Sequence, residues 1–259
     1  MKDFIKFARS TGKVTTTEIE DYIKWMNKFK GLEMSKAHQI TSQIDMPTNM
    51  TPNIVEERPM NVAVLDVFSR LMKDRIIFLG HGIDSQIGNI LVSQILYCQN
   101  TGKEKKIDLY INSPGGEVYS GLSIYGTMQY TSCPIHTFTT GIAASMAYVL
   151  AVAGEKGHRS ALPYARLMQH QPMGGAKGQA TDISISNKEI HKLKYELYEI
   201  ISHHTGKGID QVYADCERDH WMRADEAKEY GALDNVVNAV PFTPALISDN
   251  KWTKGILED

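Results

Sequence analysis

Three polar residues stand out in this chain: Ser145 inside GIAASMAYVLAVAG (141–154), His170 in ARLMQHQP (165–172) and Asp219 in CERDHWM (216–222). A serine, a histidine and a carboxylate are the parts of a nucleophilic hydrolase. The imidazole takes the hydroxyl proton, and the acid holds the imidazole in the right tautomer. An ordinary imidazole pKa of about 6.5 suits that shuttling. Taken singly, each residue also fits a plainer role. Ser145 is small enough for a packed helix, His170 for a hydrogen-bonded strand end, and Asp219 for a solvated cap. The local GxxxSxA pattern is not the GxSxG nucleophile elbow.

Backbone groups complete the chemistry. A strand leading through Gly141 into a small-residue helix puts Ser145 near the first helical turn. Unpaired N–H groups and the helix dipole stabilise negative charge there. The Met146 N–H is then placed to help bind an oxyanion, and Ala143 and Ala144 keep the neighbourhood narrow enough for a substrate backbone. Pro114-Gly115-Gly116 closes another strand. A glycine N–H approaches a substrate carbonyl closely, although the same residues read equally as a plain Pro-Gly turn. A second glycine-rich stretch, PMGGAKGQATD (172–182), fits a segment beside an extended peptide, a hairpin between subunits, or a solvated loop.

The elements that must position these groups follow from periodicity. Helices are expected over 65–73, 84–100, 118–130, the 141–154 stretch, 182–204, 208–217 and 224–232. Strands are expected over 75–80, 106–113, 135–141, 165–172 and 235–237. In the 84–100 helix, Ile87, Ile90, Leu91, Ile95 and Leu96 share one face. Gly206 is a natural C′ residue for the long helix. The alternation predicts a parallel α/β sheet. Right-handed crossovers would bring INSPGG, TGIAAS and MQHQP to one sheet edge. Residues 1–33 read as helical, and the polar segment before residue 53 as a linker. The expected organisation is an N-terminal extension over 1–53, a domain over 54–240 and a flexible tail over 241–259.

Composition narrows the function. The net charge of −2 offers no electrostatic case for nucleic acid. No apolar run approaches the ~20 residues that span a bilayer, and no secretory h-region is visible. Three cysteines, with no CxxC pair, argue against a disulfide framework or a zinc site, so a reducing cytoplasm is the expected location. There is no P-loop pattern and no metal or cofactor is expected; any ATP use belongs to a partner.

The segments INSPGGEVYSGLSIYGTMQY, GIAASMAYVLAVAGEKGHRSALPYARLMQHQPMGGAKGQATDI and ERDHWMRADEAKEYGALD together resemble the proteolytic subunit of the Clp protease family. The resemblance spans about residues 54–238. It implies a crotonase-like fold of repeated ββα units and a serine endopeptidase with Ser145 as nucleophile, His170 as base and Asp219 as orienting acid. It also implies an oxyanion hole from the backbone N–H groups of Gly116 and Met146. Two seven-membered rings would stack around a closed chamber. The 182–204 helix and the glycine-rich strand before it would interdigitate between rings, and Glu217 and Arg218 would touch the opposite ring. An AAA+ Clp unfoldase would dock at an apical pocket containing Tyr110 and Tyr130 and feed in polypeptides.

Departures from the family pattern are visible. Ile142 stands where many relatives have Gln, and Gly126 where many have Asp. Asp108 and Ser160 replace aromatic residues of the docking pocket, which bears on the choice of ATPase. The long N-terminal segment is expected to be partly self-cleaved, or else retained as a helical cap. Two other readings are a crotonase-type acyl-CoA enzyme and a non-enzymatic or conditionally active paralogue in mixed rings. The first leaves the Ser145/His170/Asp219 set unexplained, and an intact triad argues against the second.

Overall fold

The computed structural model describes residues 53–58 and 61–237. The expected helix over 1–33, the linker, its self-cleavage and the C-terminal tail all lie outside the described residues.

The first described element is unannounced in the sequence reading. Strands β1 (Asn53–Arg58) and β2 (Asn61–Asp66) pair antiparallel. The expected 65–73 helix therefore starts two residues late, as α1 (Val67–Lys73). The boundary is set by Asp66, whose carboxylate accepts from the Ser69 N–H at 3.0 Å and so caps the helix.

The main sheet runs β3 (Ile76–Leu79), β4 (Ile107–Ser113), β5 (Ile135–Ala144), β6 (Arg159–Ala161) and β9 (Asn235–Val236), all parallel. Between them come α2 (Ser85–Thr101), α3 (Val118–Tyr130) and α4 (Met146–Val152), then α5 (Ala180–Thr205), α6 (Ile209–Asp215) and α7 (Ala224–Tyr230). The sheet branches at β5. Its first half, 137–139, pairs with β6; its last residues, 142–144, pair with β7 (Arg166–Gln169). β8 (His220–Arg223) then adds antiparallel to β7. Gly141 lies between the halves of β5, and a Cβ there would sit 2.5 Å from the Asn112 amide oxygen. That oxygen accepts from the Ile142 N–H at 3.1 Å. The glycine lets the neighbouring strand's side chain brace the point where the sheet forks.

The helix expected over 141–154 is mostly strand. β5 continues through Ala144, and only Met146–Val152 is helical. The β7 register explains why: residues 142–144 have strand partners, and ladder bonds outweigh the helical preference of alanine. β6 and β8 were not expected at all. At three and four residues they are too short for an alternation to register.

The core lies between the sheet and the helices. β4 buries alternate residues, Ile107, Leu109, Ile111 and Ser113, and every residue of α4 is buried. In α2 the buried stripe is Gly88, Leu91, Ile95 and Cys98, while Ile90 and Leu96 are exposed. Close approach of α3 sets that rotation: a Cβ on Gly88 would lie 3.1 Å from Ser120 Cβ. The small residue thus becomes the contact, and two large apolar residues of the predicted face turn outward. Arg159, 4% exposed, ties β6 to the residue before β9 through Asp234 at 2.7 Å and donates to the His204 carbonyl at 2.8 Å. Burial would raise the Asp234 pKa, but the Arg159 hydrogen bonds and charge, helped by the Gly157 N–H, hold it down at about 2.

Candidate active site

Sheet order lays out the polar groups. β7 sits between β5 and β8, so His170, just past β7, has Ser145 on one side and Asp219 on the other. The Ser145 N–H donates to the Met168 carbonyl at 2.9 Å, extending the β5–β7 ladder by one bond. His170 Nε2 lies 2.8 Å from Ser145 Oγ, and His170 Nδ1 lies 3.2 Å from Asp219 Oδ1. The carboxylate stands at ion-pair distance beside Nδ1, which leaves Nε2 to face the serine hydroxyl.

Ser145 occupies φ 56°, ψ −125°, a conformation that L residues rarely adopt. Holding it costs roughly 1–3 kcal/mol, supplied by the surrounding structure. The strand–turn–helix path around it is physically an elbow, although the GxSxG spelling is absent. Met146 is the first residue of α4, so its N–H has no acceptor within the helix. Its side chain is 2% exposed and packs onto Gly121 of α3, which anchors the start of the helix.

Gly115 and Gly116 have separate tasks. Gly115, at φ +89°, abuts the serine: a Cβ there would lie 2.7 Å from Ser145 Cβ and 2.9 Å from Met146 N. Gly116, at φ +150°, abuts Ile83, with which it forms an isolated parallel bridge. In that bridge the Ile83 N–H donates to the Gly115 carbonyl and the Glu117 N–H to the Ile83 carbonyl, both at 2.8 Å. The Gly116 N–H is therefore turned away from Ile83, toward the β5 side of the sheet. Of the two glycines, the family resemblance puts only Gly116 in the oxyanion hole. Gly115 is the residue on which close approach to Ser145 depends, and its signal was present in the diglycine.

An apolar pocket adjoins the pair, lined by Val118, Val149, Pro172, Leu197 and Ile201 beside Ser145 and His170. The glycine-rich segment that follows forms no strand over 170–178, in contrast to the strand expected before α5. A larger cleft of about 850 Å³ lies elsewhere, around Gln129, Arg159 and His203. It contains no serine–histidine hydrogen bond among the described residues. There, burial first, then the His203 and Arg159 charges, depress the His204 pKa to about 4.

The segment bearing Asp219 is pinned from β7. The Gln171 N–H donates to the Cys216 carbonyl at 2.7 Å, and its side-chain amide to the Glu217 carbonyl at 3.0 Å. Lys194 of α5 reaches the Gln171 amide oxygen at 3.1 Å and lies 3.8 Å from the Glu217 carboxylate. Glu217 and Arg218 are otherwise exposed. Tyr110 is stacked in an aromatic row with Phe78 and Phe138, each 5.1 Å away. Tyr130, 76% exposed at the end of α3, stands apart from that row. Among the described residues no cluster suited to a metal ion occurs, and no helix is long and apolar enough to cross a membrane.

The Clp protease family model matches residues 59–240. The chain belongs to the Clp protease family. A Bacteroides fragilis protein named ATP-dependent Clp protease proteolytic subunit is 54% identical over 220 residues, covering 85% of this chain and 99% of that protein. One of the same name from Porphyromonas gingivalis is 55% identical over 188 residues, 73% of this chain and 85% of its own length. A Salinibacter ruber protein named proteolytic subunit 1 is 51% identical over 195 residues, 75% and 84% of the two chains. The α/β architecture accords with the crotonase-like fold expected for this family, and family membership favours neither the acyl-CoA nor the non-enzymatic reading.

Proposed function

We propose that this chain is the proteolytic subunit of an ATP-dependent Clp protease, a serine endopeptidase with Ser145 as nucleophile, His170 as general base and Asp219 as orienting acid. The reading rests chiefly on the 2.8 Å contact between Ser145 Oγ and His170 Nε2 at a strained strand-to-helix turn. An extended peptide lies beside the Gly116 strand edge. Ser145 Oγ attacks the scissile carbonyl while Nε2 accepts its proton. The oxyanion is held by the Gly116 and Met146 N–H groups. The imidazolium protonates the leaving amine, and water then attacks the acyl-enzyme by the same route.

The remaining assignments extend the family reading. Clp proteolytic subunits work as oligomeric rings with a Clp ATPase. We infer two stacked seven-membered rings or mixed rings with a paralogue, contacts through Glu217 and Arg218, and unfoldase docking near Tyr110 and Tyr130. The reaction needs no cofactor in this chain, and the cytoplasm is the proposed location. Hydrolysis of a small fluorogenic peptide by the wild type and by Ser145→Ala tests the chemistry, together with fluorophosphonate labelling. Turnover and labelling in the wild type alone are expected; equal rates in both proteins overturn the assignment.

A further inference from the structure

The Asp219 carboxylate is 59% exposed, and among the described residues its partner is His170 alone. Nothing on the side chain itself therefore aims it. Its backbone lies in a short gap between two attachments. On one side Gln171 holds the carbonyls of Cys216 and Glu217. On the other, β8 begins at His220, which pairs in register with Gln169.

At that pair the side chains also meet. Gln169 Nε2 lies 3.1 Å from His220 Nδ1. Gln169 is 1% exposed, and its amide oxygen has no hydrogen-bond partner. A buried amide with an unpaired oxygen costs stability that an aliphatic side chain at the same place would not. The His220 ring packs edge-on to Tyr230 at 5.6 Å, and the Tyr230 hydroxyl donates to Asp215 at 2.7 Å. The Gln169–His220 contact lies one residue along the paired segments from the His170–Asp219 contact, and Gln169 also lines the pocket beside Ser145 and His170.

We propose that the Gln169–His220 hydrogen bond is a positioning device that sets the distance and angle of Asp219 to His170, resting on the peptidase reading above. Gln169 and His220 are positioning residues that act through Asp219. Their bond reinforces the last rung of the β7–β8 ladder. The amide donates and the unprotonated His220 Nδ1 accepts. Without it, the short link between the Gln171 attachment and β8 slackens, and the exposed carboxylate is the first group displaced.

The test uses the full chain and a short fluorogenic peptide, with circular dichroism and assembly size as folding controls. His220→Leu removes the acceptor; kcat is expected to fall on the order of 10- to 100-fold, the cost of misplacing a catalytic group by about 1 Å, with KM little changed. His220→Asn keeps an acceptor oxygen near the Nδ1 position and should recover most of that loss. In an Asp219→Asn background, followed by the rate of fluorophosphonate labelling of Ser145, His220→Leu should add almost nothing. Full kcat in folded His220→Leu, equal losses in the Leu and Asn variants, or an undiminished further loss in the Asp219→Asn background each overturn the inference. If His220→Leu does not fold, Gln169→Leu decides: full kcat in the folded variant, or an undiminished further loss in the Asp219→Asn background, overturns the inference. If Ser145→Ala is as active as the wild type, it is the peptidase reading that fails; if it is inactive and the His220 variants are normal, only the positioning role fails.

Discussion

Ser145 follows two strand residues that are almost wholly buried, Ala143 and Ala144, and is followed by Met146, equally buried. Asp219 reaches the same imidazole from an exposed segment at the sheet's edge, with a longer contact. The serine's rare backbone conformation is sustained by the core: Gly115 presses on one side, Met146 is anchored on Gly121, and the Met168 carbonyl takes the N–H. The acid has a two-stranded edge and a few side-chain pins. Distorting the first half should damage fold and chemistry together, whereas the second should lose chemistry with the fold intact.

Asp219→Asn gives the sharpest form of this contrast. Its kcat is expected to fall by up to about 10⁴, as when a triad acid is neutralised. Thermal unfolding should shift little, because an exposed substitution usually stays within about 0.5 kcal/mol. A melting temperature lowered as far as by a core substitution would break the comparison.

Gly115→Ala should move both readouts. The new Cβ meets Ser145 Cβ and Met146 N at φ +89°. Overpacking of this kind costs roughly 1–3 kcal/mol, and displacing the oxyanion donors costs about 10²- to 10³-fold in kcat. Peptide hydrolysis and denaturant midpoints check this together. Normal stability with lost activity would mean that the serine half is no more core-dependent than the acid half.

His204 offers a smaller effect that separates the titration of the fold from that of the site. Its folded pKa is lowered by burial to about 4, from an ordinary 6.5. The unfolded chain then binds the extra proton first, so stability is full above about 6.5 and declines as pH falls toward 4. His204→Gln should flatten that part of the melting-temperature profile and leave the pH dependence of kcat unchanged. An unchanged melting profile would remove His204 as the cause.

The smallest effect lies in α3, away from both halves. Nothing stands within 4 Å of a Cβ built on Gly126, so Gly126→Ala should stabilise by up to about 1 kcal/mol. Denaturant titration would measure this, and activity should not change.

How far the sequence reached follows the same division. The side chains of the site were legible only as a set: Ser145, His170 and Asp219 each fit a plainer role singly, and the resemblance to the Clp protease family joined them. The diglycine was legible too, but not that Gly115 meets the serine while Gly116 meets Ile83; two adjacent glycines look alike until their neighbours are known. α2 was recognisable from its period, yet its buried face was rotated by the approach of Ser120 to Gly88. β8 was invisible, since HWMR carries no alternation and becomes a strand only by pairing with β7.

By itself, the sequence determined the parallel α/β class, the family and the three side chains of the candidate triad. The class depends on local periodicity, and the family and the three side chains rest on the resemblance carried by INSPGG, GIAASMA, MQHQP and ERDHWM. Tertiary structure alone decided that β5 runs on to Ala144, that Ser145 takes a positive φ, and that β8 brings Asp219 within 3.2 Å of His170. Each of these depends on a hydrogen-bonding partner or a packing neighbour far along the chain, and no local pattern encodes such a partner.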